Sequence, residues 1–269
     1  MNSLSGKSKI RKTTVVLSVA LVLLAVLLAV LYFCYPSISE YYRAHKKYEI
    51  YGGMTDELKD SEFFEDMQSG SSFCFMGDSI TCGTETNGIQ WYRPLTPYIN
   101  GRIFEVSYGG IMISDLISFQ DFFPEADIYV IAIGINDIVS DDDPYAAASP
   151  EDFISRFAQL TEIITKISPN AKIYYITPWF FYGYGEAYDE RADQFRNALV
   201  SWCESTDCIC IDPQKTISSI VSGEGTGKYM LDRLHPNKNK GVGLYSYAVL
   251  LEEHNRKIKN KARTVPRLE

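Results

Sequence analysis

Phe73-Cys74-Phe75-Met76, running into Gly77-Asp78-Ser79-Ile80, is the stretch on which the fold turns. Four consecutive apolar residues without polar alternation describe a strand buried on both faces. The glycine and polar residues that follow end it in a strand-to-helix turn. Outward from there, the same kind of apolar run recurs at Ile103–Val106, Ile128–Ile133, Ile173–Ile176 and Cys208–Ile211. Amphipathic stretches separate these runs. The clearest opens at Ser149-Pro150-Glu151-Asp152, where an N-cap residue, a proline and an acidic first turn precede Phe153, Phe157, Leu160, Ile164 and Ile167 at helical spacing. Further helices are expected over about 113–123, 189–203 and 243–257. Alternation of buried strands with helices predicts an α/β domain with a five-stranded parallel sheet covered on both faces.

Charge divides the chain unevenly. Its 269 residues carry a net charge of −8, with 26 Lys and Arg against 34 Asp and Glu. Four of those bases, Lys7, Lys9, Arg11 and Lys12, lie in the first twelve residues, which contain no acid. The rest is therefore strongly acidic and would repel phosphate, which argues against a nucleic-acid binder. Val15–Tyr35 holds no charged residue and reaches roughly 30 Å as a helix, the thickness of a bilayer core. It closes on Leu31-Tyr32-Phe33-Cys34-Tyr35-Pro36, without the small-x-small site of a cleaved signal peptide. The expectation is one N-terminal transmembrane helix in a single-pass cell-membrane protein, with a cytoplasmic N-terminus and an extracellular working domain. The expected divisions are a basic tail over 1–12, an anchor over 13–35, a charged and aromatic stalk or linker over 36–70, the α/β domain over 71–256 and a tail over 257–269.

Six cysteines are too few for a disulfide scaffold in a chain of this length. Cys203 and Cys208 flank an acidic turn at a spacing that leaves a disulfide open. His45, His235 and His254 show no metal-ligand spacing, so neither a metal nor another cofactor is expected.

Open parallel sheets place their sites beyond the C-terminal ends of the strands. The first run delivers Gly77-Asp78-Ser79, the second Ser107-Tyr108-Gly109-Gly110, the third Gly134-Ile135-Asn136-Asp137. Asp232-Arg233-Leu234-His235-Pro236-Asn237 precedes the last helix. Each has an ordinary alternative: Ser79 an N-cap, Asp232 a turn former, Asn136 a loop amide, His235 a surface residue. Together and in this order they resemble the four blocks of the SGNH hydrolases, the GDSL-type esterases and lipases, over about residues 71–253. That resemblance implies a flavodoxin-like three-layer α/β/α fold and makes Ser79 the nucleophile of a Ser-His-Asp triad, with His235 and Asp232 as its partners. It also implies an oxyanion hole formed by the backbone N–H of Ser79, the N–H of Gly109 and the side-chain amide of Asn136. Ser107 and Met112 depart from the family pattern around the second block, where Gly110 is the neighbouring candidate donor. The chemistry suits these residue types: a hydroxyl needs a base to become nucleophilic, and a tetrahedral oxyanion needs fixed donors.

The substrate is harder to read. Trp91 follows the nucleophile turn, and Pro178-Trp179-Phe180-Phe181-Tyr182 follows the fourth strand. Asp78, Trp91, Trp179, Phe180 and Tyr182 are therefore candidate substrate contacts, since aromatic rings stack on sugars and also line acyl pockets. An equal alternative has the aromatics filling a hydrophobic lid. The expected activity is hydrolysis of a carboxylic ester, such as O-acetyl or another short acyl group on a cell-surface glycan. An O-acyltransferase using the same triad, or a non-catalytic surface binding protein on the same fold, are the alternatives.

Overall fold

A computed structural model describes residues 23–24, 48–206 and 208–264. The chain divides into two units, Met1–Lys47 and Tyr48–Glu269. Of the first, Leu23 and Leu24 are described, as helical and exposed.

In the second unit five strands, β1 (Phe73–Gly77), β2 (Ile103–Ser107), β3 (Ile128–Ala132), β4 (Lys172–Ile176) and β5 (Ile209–Ile211), form one parallel sheet in the order β2-β1-β3-β4-β5. This is the flavodoxin-like order, with the direction of winding reversing at β1. Side chains alternate across the sheet. Phe73, Phe75, Val130, Tyr174 and Ile176 enter one core, and Cys74, Met76, Tyr129, Ile131 and Tyr175 enter the other.

The second core is closed by α4 (Ile113–Ser118), α6 (Pro150–Ile167) and α7 (Glu186–Thr206), through Leu116, Phe153, Phe157, Leu160, Ala192, Phe195 and Leu199. As its sequence predicts, α6 is capped by Ser149, whose Oγ accepts from the Asp152 N–H at 3.3 Å. The first core is closed by α1 (Asp56–Lys59), α2 (Glu62–Gln68), α8 (Gln214–Glu224) and α9 (Gly241–Thr264). Two short helices sit at strand ends, α3 (Ser79–Cys82) after β1 and α5 (Ile135–Val139) after β3.

Three sequence expectations change here. Residues 48–70, read as stalk or linker, belong to the folded unit. Leu58, Phe63 and Met67 are fully buried, and the Tyr51 N–H donates to Gly243 O at 3.1 Å. Their charges have partners: Glu62 and Asp66 meet Lys172 at 2.6 and 2.7 Å, and Glu62 meets Arg256 at 2.7 Å. At the other end α9 continues to Thr264, where a tail was expected from 257. Lys257 binds Asp60 and Glu65 at 3.2 and 2.7 Å. Cys203 and Cys208, whose spacing leaves a disulfide open, are not joined by one.

The membrane assignment is corrected. Apart from Leu23 and Leu24, the proposed anchor over 13–35 lies outside the described residues, as does the basic tail. Among the described residues no helix is long and apolar enough to cross a membrane. Three have the length, α6 with 18 residues, α7 with 21 and α9 with 24, but all are studded with charge, from Glu151 to Lys166, from Glu186 to Glu204 and from Glu252 to Arg263. This finding contradicts the expected single-pass cell-membrane location with an extracellular catalytic domain.

Candidate active site

The turn between β1 and α3 brings Ser79 to the C-terminal edge of the sheet. Asp78 caps the helix, its Oδ1 accepting from the Ile80 N–H at 3.0 Å. Ser79 is therefore the first helical residue, and its own N–H has no acceptor one turn back. The serine is 6% exposed, enough to present a hydroxyl from an otherwise dry turn.

Across from it stands the loop before α9. Here Asp232 Oδ1 accepts from the backbone N–H groups of Leu234 and His235, both at 2.7 Å. The tight turn so formed explains the three-residue spacing: it swings the imidazole back until Nδ1 lies 2.9 Å from the other oxygen, Asp232 Oδ2. The opposite ring nitrogen, Nε2, lies 2.9 Å from Ser79 Oγ. Backbone bonds from Leu231 N–H to His235 O at 2.8 Å and from Asn237 N–H to Tyr229 O at 2.7 Å hold the loop. Asn237 Oδ1 in turn accepts from Asn239, Lys240 and Gly241 at 3.1, 2.9 and 3.2 Å, tying the loop to the start of α9. Partial burial pushes the Asp232 carboxyl up. The hydrogen bonds from His235 and Leu234 outweigh this and hold it below the usual carboxylate range, so it is ionised beside the ring.

The candidate oxyanion donors converge from β2 and β3. Tyr108 continues β2 by donating its N–H to Gly77 O at 3.2 Å, which sets Gly109 beside the serine turn. A Cβ on Gly109 would lie 2.9 Å from Thr84 Oγ1, so glycine lets this loop lie close against the Thr84 side chain without displacing it. Gly134 ends β3 with φ +112°, and a Cβ there would meet the Phe153 ring at 2.7 Å. That bend turns Asn136 toward the site. Its amide Nδ2 donates to Ile111 O at 2.8 Å and retains a second hydrogen for another acceptor.

Two buried carboxylates flank these groups. Burial pushes Asp78 up to about 7, opposed by the Ile80 N–H and reinforced by the nearby charge of Asp137; Asp78 Oδ2 has no hydrogen-bond partner. Burial likewise pushes Asp137 up to about 6, against the N–H groups of Ala147 and Ile113 and the charge of Arg156.

Ser79, His235 and Asp232 thus come together, with Gly109 on the loop after β2 and Asn136 in the short helix α5 after β3. The expected substrate contacts fare differently. Asp78 is fully buried as a helix cap. Trp91 and Trp179 are 0% and 1% exposed and face each other at 5.3 Å inside the first core, with Tyr245 4.8 Å from Trp179. Phe180 is buried as well, and Tyr182 half-buried, its N–H bonded to Arg233 O at 3.0 Å. The tryptophans are core residues because the space between β1, β4 and α9 must be filled. The large apolar side chains that do reach solvent beside the triad are Tyr108 and Leu231, 57% and 55% exposed. Each directly precedes a block residue, Gly109 or Asp232, and that adjacency was the signal available in the sequence.

Comparison with known proteins agrees with this picture. The model of the GDSL-like lipase/acylhydrolase family matches residues 75–239. No curated protein matches. Solved structures share the fold. A catalytic mutant of an acetylxylan esterase from Geobacillus stearothermophilus is 19% identical, with 70% of this chain and 96% of that one covered and a TM-score of 0.54. An α/β hydrolase enzyme from the metagenome of Lake Arreo, Spain, is 22% identical, with 68% and 95% covered and a TM-score of 0.54. A GDSL-lipase-like protein from Parabacteroides merdae is 19% identical, with 70% and 97% covered and a TM-score of 0.59. A family match over more than half the chain, on a sheet of the expected order, places this protein in the GDSL-like lipase/acylhydrolase family, the SGNH serine hydrolases.

Proposed function

We propose that this carboxylic ester hydrolase works through Ser79, His235 and Asp232, and that its substrate is a short acyl ester, such as an O-acetyl group on a carbohydrate. The observation that carries the reading is the continuous relay from Ser79 Oγ through the His235 ring to Asp232, with both links at 2.9 Å. In the proposed cycle Ser79 Oγ attacks the ester carbonyl while His235 Nε2 takes its proton. Asp232 fixes the tautomer and stabilises the imidazolium. The oxyanion is met by the N–H groups of Ser79 and Gly109 and the second hydrogen of Asn136 Nδ2. His235 then protonates the departing alcohol, and water, activated by the same ring, releases the acid.

A short acyl group is favoured by the packing. Phe75, Trp91, Trp179 and Tyr245 are buried against one another in the first core, so these rings do not form an open apolar pocket for a long chain. The exposed ring of Tyr108 beside Gly109 suits the flat face of a sugar. The Geobacillus stearothermophilus protein that shares this fold is an acetylxylan esterase, which is in keeping with this reading.

Turnover of p-nitrophenyl esters of increasing length, and acetate release from acetylated sugars, test the reading. Ser79→Ala is expected to reduce turnover to background while the melting temperature moves little. Retention of activity in that variant would refute the nucleophile, and a preference for long acyl chains would refute the substrate class. Because a sugar hydroxyl can replace water as acceptor, the assay includes a glycan. Acyl-glycan appearing ahead of free acid would make the protein a transferase.

A further inference from the structure

Asp137 lies immediately after the candidate oxyanion residue Asn136, and its side chain is wholly buried. It neither reaches the triad nor faces solvent. Its two oxygens instead bind backbone N–H groups of two different loops. Oδ2 accepts from Ile113 at 3.2 Å, at the end of the loop that carries Gly109 and Gly110. Oδ1 accepts from Ala147 at 2.9 Å, in the connection leading to α6.

The Ile113 bond has a companion, since Asn136 Nδ2 binds Ile111 O in the same loop at 2.8 Å. Two adjacent residues of α5 therefore grip positions 111 and 113, and Tyr108 N–H on Gly77 O fixes the other end. Gly109 and Gly110 span the interval between these tethers. The groups facing Asp137 are consistent with a clamp. From α6, Arg156 Nη1 stands 3.6 Å from Oδ1. From α7, Arg191 Nη2 binds the backbone oxygens of Asp137 and Ala147 at 3.0 and 2.6 Å. From the β1–α3 turn, Asp78 opposes it with like charge.

We infer that Asp137 is the positioning residue of the oxyanion hole, holding the Gly109 loop in register with Asn136. The inference rests on the esterase reading above. A donor displaced by about 1 Å can cost on the order of 100-fold in rate, and a loop held by three hydrogen bonds is displaced when one of its end tethers is cut. Such a displacement weakens transition-state stabilisation and leaves ground-state binding in place, so it appears in kcat rather than KM.

The test uses the full chain and p-nitrophenyl acetate, with Ser79→Ala, Asp137→Ala and Asp137→Asn. Asp137→Ala is expected to lower kcat by roughly 10- to 100-fold with KM changed less than about threefold. Asp137→Asn, which keeps one acceptor oxygen, is expected to fall between it and the native protein. Hydrogen exchange at the Ile113 amide should quicken in Asp137→Asn, with exchange at Phe75 in β1 unchanged. Should Asp137→Ala fail to fold, Asp137→Asn decides alone. A native kcat in Asp137→Asn, a loss carried by KM, or unchanged exchange at Ile113 overturns the inference. A native protein no more active than Ser79→Ala instead overturns the esterase reading, so the two failures are distinct.

Discussion

Asp78 combines complete burial, a carboxylate oxygen without a partner and a carboxyl pushed up to about 7 by that burial. Its helix-capping role needs only Oδ1, so the negative charge serves no contact in the folded chain. The folded state holds this proton more tightly than the unfolded state, where the carboxyl has its ordinary value of 3.8. Asp78 therefore favours the folded state most at low pH, and that advantage is lost as pH rises from about 4 to 7. Asparagine keeps the cap and cannot ionise. Asp78→Asn is expected to gain stability relative to the native chain steadily from pH 4 to pH 7 and to level off above. Denaturant titrations across that range measure it, and a constant difference between the two proteins would show that Asp78 does not titrate there.

At the scale of elements, legibility follows whether the signal is local. Helix α6 was readable because Ser149, Pro150 and the acidic first turn act on their own backbone. Ser149→Ala is accordingly expected to cost about 1 kcal/mol, seen as a lower denaturant midpoint with unchanged activity. The strands were readable because burial on both faces removes polar alternation, as in Phe73 to Met76. The Asp232–His235 spacing was readable because one short turn closes it. What escaped depends on partners far along the chain. Glu62 and Asp66 look like solvated linker charges until Lys172 and Arg256 are brought to them. Trp91 and Trp179 look like a ligand platform until each is found to be the other's neighbour. Asp137 carried no local sign of its clamp, because both of its loop partners are backbone groups on other segments.

For the molecule as a whole, the informative boundary is where folding begins. The four blocks lie within residues 77–235, and a chain started at Ser71 would contain all of them together with all five strands. It would lack Leu58, Phe63 and Met67, each fully buried in the first core, Phe63 edge-on to the rings of Phe73 and Tyr174. Burial of three such side chains contributes roughly 5–9 kcal/mol, and a domain has only about 5–15 kcal/mol to lose. The same cut strips Lys172 of Glu62 and Asp66, takes the acceptor from the buried Tyr174 hydroxyl, and removes Glu62 from Arg256. A chain beginning at Tyr48 keeps every one of these contacts. It is expected to melt cooperatively and to label at Ser79 with a serine-directed phosphonate, whereas the chain beginning at Ser71 should aggregate or lose near-ultraviolet circular dichroism. Cooperative melting of the shorter chain, with labelling intact, would mean that the α1–α2 pair only decorates the sheet. The expectation here is that it completes the layer under which the Ser79 turn and the His235 loop are held together.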